Sequence, residues 1–219
     1  VVFRTAMSPG IREQGDCFPM IANKEGKMVV GQFGSFIGPF MEAYNDDVEE
    51  GDIIMTNDPY MCNAAVSHLP DLLFLVPVFK DGRHIAWTAM FGHMSDNGGM
   101  VPGSIPIQAT SIYQEGIRIP RLRLRENGEF NDTHIKMLKL NVRVPDTFMG
   151  DLGAQIAACT VGTRRLGEVA ARYGHNHTQA MFAELLDRSE TLTRAALAAI
   201  PDGTYRYVDF LDNDGIELD

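Results

Sequence analysis

Cysteine is scarce in this chain. Its 219 residues include three, Cys17, Cys62 and Cys159, set far apart. An odd, sparse set excludes a secreted disulfide scaffold and fits a reducing cytosol, so a cytoplasmic location is expected. No pair has zinc-finger spacing. Cys62 reads as a buried thiol, with a reactive thiol as the alternative. Long apolar runs are missing too. The longest, Leu72 to Phe79, is interrupted by Pro77 and falls well short of the roughly 20 residues a membrane span needs. The start, Val1-Val2-Phe3-Arg4-Thr5, lacks the charged and apolar regions of a signal peptide. Positive charge is the third scarcity. Lys and Arg number 19 against 29 Asp and Glu, a net charge of −10. The densest basic stretch, Arg118 to Arg125, alternates with apolar residues like a strand with one solvated face. Nucleic acid is therefore not an expected partner. Phosphate-binding glycine patterns are also missing, since Gly98-Gly99 opens neither a P-loop nor a dinucleotide fingerprint. Asp212-Asn213-Asp214-Gly215 copies only a fragment of a calcium loop. Ser104 and Ser111 lack the context of a nucleophile elbow.

What is present is an ordinary globular composition, 45% hydrophobic and 22% charged, enough for one sizeable core. Strand patterns dominate the first part. Phe18–Asn23 and Lys27–Gln32 flank a Lys24-Glu25-Gly26 turn. Gly34–Tyr44 reads as a loop leading into a short helix, and Asp52–Thr56 as a strand stopped by Asn57-Asp58-Pro59. Leu72–Phe79 and Arg83–Phe91 form a hairpin about Asp81-Gly82. Both parities of these two runs are apolar, so both faces should be covered. Ile117–Leu124 is a further strand candidate, and Asn127-Gly128 a tight turn.

After residue 130 the pattern becomes helical. A short helix runs from an Asp132-Thr133 cap to Asn141. Long amphipathic helices follow over Asp151–Tyr173 and Thr178–Ile200, and Tyr205–Leu211 alternates like a strand. The expected class is α+β, with a mixed or antiparallel sheet in the first part and two long helices after it. Val1 in place of Met and the turn-like C-terminal end are expected of a piece of a larger subunit.

Function concentrates at His68, Asp71 and His93. The first two lie in Ser67-His68-Leu69-Pro70-Asp71, the third in Gly92-His93-Met94-Ser95-Asp96-Asn97-Gly98-Gly99. Two imidazoles and a carboxylate suit a catalytic zinc, manganese or iron that keeps open positions. The hairpin reading puts Asp71 at the start of one strand and His93 at the end of the next, hence at one rim. His84, His134, His175 and His177 lack such neighbours and read as ordinary polar residues. Asp58 and Asp96 are candidates for a general base, or for a partner that orients a ligand histidine. A turn cap is the plainer reading of Asp58.

These residues carry a resemblance. Asn57-Asp58-Pro59-Tyr60, His68-Leu69-Pro70-Asp71 and His93-Met94-Ser95-Asp96-Asn97-Gly98-Gly99 are similar, in that order, to motifs of the hydantoinase B/oxoprolinase family. So are Pro102-Gly103-Ser104, Gln114-Glu115-Gly116-Ile117-Arg118-Ile119-Pro120, Asn141-Val142-Arg143, Gly150-Asp151-Leu152-Gly153-Ala154-Gln155 and Pro201-Asp202-Gly203-Thr204-Tyr205. The resemblance spans about Ser8 to Gly215. It implies one domain of that family over 1–219, a strand-rich metal-site part at 1–130 and a helical part at 131–219 that ends in a strand. It also implies a divalent metal on His68, Asp71 and His93, with Asp16 completing the set.

The expected activity is ATP-dependent opening of a cyclic amide: a hydantoin, 5-oxoproline or a lactam. A hydantoinase A-like subunit of actin-like fold would hold ATP-Mg and phosphorylate the amide oxygen, within a hetero-oligomer. The alternatives are a ketone carboxylase of the acetone or acetophenone type, and a non-catalytic assembly module. Gly34–Phe40 and Gly98–Ile112 are expected to line a cleft or meet the partner, with core burial of Phe33, Phe36 and Phe40 as the alternative reading of the first. Two departures bear on pocket shape. The segment Met61-Cys62-Asn63-Ala64-Ala65-Val66-Ser67 lacks the glycines the family pattern has there, and Met94 stands where relatives often have a second histidine.

Overall fold

The computed structural model describes residues 1–31, 37–43, 47–103 and 105–210. Its centre is one seven-stranded sheet of order β2-β1-β5-β4-β3-β6-β7, antiparallel at every pairing. The strands are β1 (Cys17–Asn23), β2 (Met28–Val30), β3 (Ile53–Thr56), β4 (Asp71–Lys80), β5 (Arg83–His93), β6 (Leu122–Glu126) and β7 (Glu129–Phe130). A short α1 (Val2–Thr5) and a π-turn at Gly10–Gln14 precede them, and α2 (Ile37–Ala43) lies between β2 and β3. The helices α3 (Asp132–Asn141), α4 (Pro145–Tyr173) and α5 (His175–Ala198) close the chain. The strands-then-helices order makes it α+β.

The central hairpin is apolar on both parities because both faces are covered. One face packs Leu72, Phe74, Val76 and Met90 under Phe148, Leu152, Ile156 and Cys159 of α4. The other packs Leu73, Leu75, Trp87 and Phe91 under Ile37 and Phe40 of α2 and Cys62, Ala65 and Val66 of the loop before β4. Each such side chain contributes about 1.5–3 kcal/mol on burial, so this hairpin is the part least free to move.

Several expectations shift. The helix after the strands starts at Asp132 but is capped by Asn131, whose Oδ1 accepts from the backbone N–H of Thr133 and His134. The next begins at Pro145, six residues before the expected start, because Pro suits the first helical turn. The strand expected at Ile117–Leu124 begins only at Leu122. Upstream, the backbone of Ile117 and Ile119 is bound by the Asn57 side chain in place of a strand neighbour, and Pro120 brings no N–H. Tyr205–Leu211 is not a strand over its described part. Tyr205, Tyr207, Val208 and Phe210 are exposed, and no strand partner lies beside them among the described residues. Only the first half of α5 packs, through Thr178 and Phe182, while Leu192, Leu197 and Ile200 stay exposed. Leu211 and the Asp212–Gly215 run lie outside the described residues, as do Phe33 and, of the expected cleft segments, Gly34, Phe36 and Ser104. Phe40 is core.

The loop from Gly98 to Gly116 is tied to its own base by a bridge between those two glycines. A Cβ on Gly116 would sit 2.1 Å from the Asn97 carbonyl oxygen, and φ there is +136°. Gly116→Ala is therefore expected to destabilise the fold by on the order of 3 kcal/mol. A urea midpoint unchanged from wild type would contradict this.

Candidate metal centre

Register builds the site. The β4–β5 hairpin carries a bulge: Phe79 pairs with His84, but Val78 pairs with Ala86, leaving Ile85 as an extra residue. Beyond it the pairing runs unbroken to Asp71 opposite His93. Without the extra residue Asp71 would face Gly92, and His93 would point to the other side of the sheet. As it is, the two side chains meet, and His93 Nδ1 lies 3.0 Å from Asp71 Oδ1.

His68 arrives from the loop before β4, which hydrogen bonds to remote segments hold. Asn57, fully buried, donates from Nδ2 to the Leu69 carbonyl at 2.7 Å and to Ile117 at 2.9 Å, while its Oδ1 accepts from Ile119 N–H at 2.7 Å. The Pro70 carbonyl accepts from Met94 N–H, and the His68 carbonyl from Asp71 N–H. His68 Nδ1 then stands 3.5 Å from Asp71 Oδ2, and the two imidazoles meet edge to face with centroids 5.0 Å apart. That Nδ1 is buried and makes no hydrogen bond. Donor atoms of His68, Asp71 and His93 all lie within 4.8 Å of one another. Donors about 2 Å from one zinc-like ion span roughly 3–4 Å. A buried, unpartnered imidazole nitrogen beside a second imidazole and a carboxylate fits such an ion.

Asp16 joins from the far side. Its carbonyl accepts from His93 N–H, and its Oδ2 is 4.0 Å from His93 Nδ1. Among the described residues the tight donor cluster is His68, Asp71 and His93, and Asp16 lies at its edge. They open into a cavity of about 530 Å³ that Gln14, Phe18, Val66, Phe91 and Ile105 also line, a size suited to a small molecule.

Asp58 and Asp96 stand apart from this cluster. Asp58 Oδ1 caps the turn by accepting from Tyr60 and Met61 N–H, and its Oδ2 accepts from Arg118 at 2.6 and 2.9 Å. Asp96 accepts from Gly98 N–H and from both the backbone and the guanidinium of Arg143. The roles of Asn57, Arg118 and Arg143 were not foreseen. Arg118 and Arg143 lie 60 and 47 residues from their carboxylates, so no local spacing announces them. The three thiols are quiet. Burial raises the pKa of Cys62, takes Cys17 to about 11 and Cys159 to about 12. In the glycine-poor segment, Asn63 and Ala64 adopt φ +50° and +59°, a region where glycine sits without strain.

The family model described as hydantoinase B/oxoprolinase matches residues 1–219. The chain belongs to the hydantoinase B/oxoprolinase family. It is 37% identical over 195 residues to caprolactamase subunit beta of Pseudomonas jessenii, covering 87% of this chain and 33% of that one. With the acetophenone carboxylase delta subunit of Aromatoleum aromaticum it shares 29% identity over 216 residues, 93% of this chain and 31% of that one. The crystal structure of the ATP-dependent caprolactamase from Pseudomonas jessenii superposes with a TM-score of 0.78 at 34% identity, over 86% of this chain and 34% of that one. The chain thus spans about a third of the length of these family members.

Two outcomes are expected of the centre. One divalent ion should bind per chain, and His68→Ala or His93→Ala should each remove it. Elemental analysis of the purified variants measures this, and unchanged metal content would defeat the ligand assignment. The second concerns pH. Burial lowers the proton affinity of His93, but the hydrogen bond to Asp71 and the charges of Asp71 and Asp16 outweigh it, leaving the pKa above the ordinary value. In the metal-free protein the His93–Asp71 pair stabilises the fold fully below the unfolded value of about 6.5, and that contribution is lost as pH rises through the raised folded value. A metal bound through the same His93 nitrogen would have to displace this proton. Affinity is therefore expected to fall as pH drops through the raised value, by about tenfold per pH unit for one displaced proton. Competition with a chromophoric chelator reads it, and an affinity independent of pH would contradict the ligand role of His93.

Proposed function

We propose that this chain carries the metal-dependent half of an ATP-dependent opening of a cyclic amide. The observation that supports it most is the Asp71–His93 register pair with the unpartnered His68 nitrogen beside it, at the wall of a small-molecule cavity. His68, Asp71 and His93 would hold a divalent zinc, manganese or iron, with Asp16 completing the set. When bound, such an ion acidifies a water and polarises substrate oxygen. The overall change is balanced. The γ-phosphoryl of ATP goes to the amide oxygen, and water adds to the activated carbon. The ring C–N bond breaks as nitrogen takes a proton from that water, which leaves an acyl phosphate, and a second water cleaves it to the carboxylate and inorganic phosphate.

ATP-Mg and the phosphoryl transfer are assigned to a partner subunit, hydantoinase A-like and of actin-like fold, in a cytoplasmic hetero-oligomer. The sequence offers no phosphate-binding fingerprint of its own, and the relative of similar sequence is named as a subunit. Asp58 and Asp96 enter as positioning residues. Asp58 fixes the turn that leads into the His68 loop by holding Arg118. Asp96 fixes the loop after His93 by holding Arg143. Phe18, Phe91 and Val66 shield the cavity wall and orient the ring.

The full-length subunit co-purified with an actin-like ATPase should open lactams or hydantoins with ATP and release ADP and phosphate. His68→Ala and His93→Ala should lower turnover by on the order of a hundredfold or more while the complex still assembles. Undiminished turnover in the double alanine variant would support an assembly module instead. Label fixed from bicarbonate into a ketone would support the carboxylase reading, which the resemblance to acetophenone carboxylase delta keeps open.

A further inference from the structure

The Gly150-Asp151-Leu152-Gly153-Ala154-Gln155 stretch of α4 lies behind the centre, on the other face of the sheet. Asp151 is fully buried, and its Oδ1 accepts two consecutive backbone N–H groups, Met7 at 2.7 Å and Ser8 at 3.0 Å. Gly150 makes room for this approach, since a Cβ there would collide with the Met7 side chain. Burying a carboxylate is costly unless its hydrogen bonds are made, and here they go to the segment that leads to Asp16. From Ser8 a series of backbone bonds reaches the centre. The Ser8 carbonyl accepts from Arg12 N–H at 3.0 Å, and the Gly10 carbonyl from Asp16 N–H at 3.1 Å. The Asp16 carbonyl accepts in turn from His93 N–H at 3.0 Å. Ile11, fully buried in the same core cluster as Leu152, pins the middle of the turn. Gln155, one helical turn after Asp151, braces the His93 side. Its Nε2 donates to Met94 Sδ, and its amide lies so close to Gly92 that a Cβ there would come within 2.9 Å of it.

We propose that Asp151 is a positioning residue: by clamping the N–H groups of Met7 and Ser8 it sets the turn at Gly10–Gln14, and thereby holds the Asp16 carboxylate beside His93, within reach of an ion on His68, Asp71 and His93. This rests on the metal-site reading above and holds whichever bond the complex opens. Asp16 needs such a device. Strand register aligns Asp71 with His93, but Asp16 precedes the first residue of β1. Its Oδ2 stands 4.0 Å from His93 Nδ1 on a side chain 44% exposed. A residue at that place takes its direction from the turn before it, and the turn is anchored at its start by Asp151. Residues that orient a metal ligand characteristically change metal affinity by roughly 10–100-fold when removed.

The test measures Co²⁺ affinity of the full-length subunit by competition with a chromophoric chelator, and the visible d–d absorption of the bound ion, which reports its coordination. Asp151→Ala should weaken Co²⁺ by about tenfold or more and alter that absorption. Asp151→Asn keeps an accepting oxygen and should stay within about threefold of wild type, with its spectrum unchanged. Asp151→Leu, apolar and of similar size, repeats the test if the alanine variant does not fold. Leu124→Ala removes fully buried bulk from β6, two strands from β4. It should lower the melting temperature and leave both metal readouts in place. In an Asp16→Ala background, Asp151→Ala should add less than about twofold, because its effect runs through Asp16. Unchanged affinity in Asp151→Ala overturns the inference, as does an equal loss in Leu124→Ala. So do additive effects of Asp16→Ala and Asp151→Ala, or an Asp16→Ala variant that binds Co²⁺ like wild type. A wild-type subunit that binds no Co²⁺ defeats the metal-site reading, and hydrogen exchange in the metal-free protein then decides the positioning. The Asp16 and His93 amides should exchange at least tenfold faster in Asp151→Ala than in wild type or Asp151→Asn, and equal exchange overturns it.

Discussion

The single extra residue at Ile85 sets the geometry of everything functional in this chain. A strand pair has a two-residue period, so one inserted residue decides which side chains face each other from there to the strand ends. Here it puts Asp71 opposite His93. The hairpin that transmits this register is deeply buried, with eight consecutive buried residues at the start of β4. A slip would exchange the side chains packed under α4 with those packed under α2, and both interfaces would lose their fit, several apolar side chains at about 1.5–3 kcal/mol each. Core packing therefore holds the site. Asp71 and His93 sit at the rim, and the packing that aligns them acts along the whole length of the strands.

The loop that delivers His68 needs a different device, because loops have no ladder to fix them. Asn57 supplies it. One buried amide meets three backbone groups from two remote segments. It does for the 117–119 stretch what a strand neighbour would do, and it pins the carbonyl next to His68. Its donor and acceptor groups are used without leaving a buried group unpaired, which would cost about 1–3 kcal/mol. The Asp58–Arg118 and Asp96–Arg143 pairs flank the same loops. Each joins segments that are adjacent in space and far apart in sequence, and each removes a positive charge from the neighbourhood of the cavity.

This division explains what sequence could and could not disclose. The meeting of Asp71 and His93 was legible, because an apolar hairpin with a two-residue turn brings the start of one strand beside the end of the next. The bulge that makes the pair face one another was not, since Ile85 looks like any other strand residue. His68 was legible from its short spacing to Asp71. Asp58 and Asp96 drew attention as acids near the site, but their arginines lie outside any local window, so their engagement was hidden. The apolar stripe of α5 was legible as a stripe, and its partner was not. Leu185 and Leu192, seven residues apart, keep the helical spacing while remaining exposed. Ile117–Pro120 misled for a related reason, since its alternation is real but its neighbour is a side chain.

The departures from the family pattern show how a site can keep its ligands while its surroundings change. Ala64 and Asn63 hold left-handed backbone at a cost of about 1–2 kcal/mol for an ordinary L residue, somewhat less for asparagine. The packed hairpin, Asn57 and the Pro70–Met94 bond constrain the neighbouring backbone enough to sustain it. Their side chains meanwhile belong to the segment whose next residues, Ala65 and Val66, enter both the core and the cavity wall. Met94 is fully buried on the face opposite the ligands, its sulfur accepting from Gln155 Nε2 at 3.3 Å. Strand parity forces that: a residue next to His93 must point the other way, toward α4. A histidine at 94 would therefore meet helix α4 rather than the His68–Asp71–His93 cluster, and Met there alters the packing behind the cluster while leaving those three side chains in place.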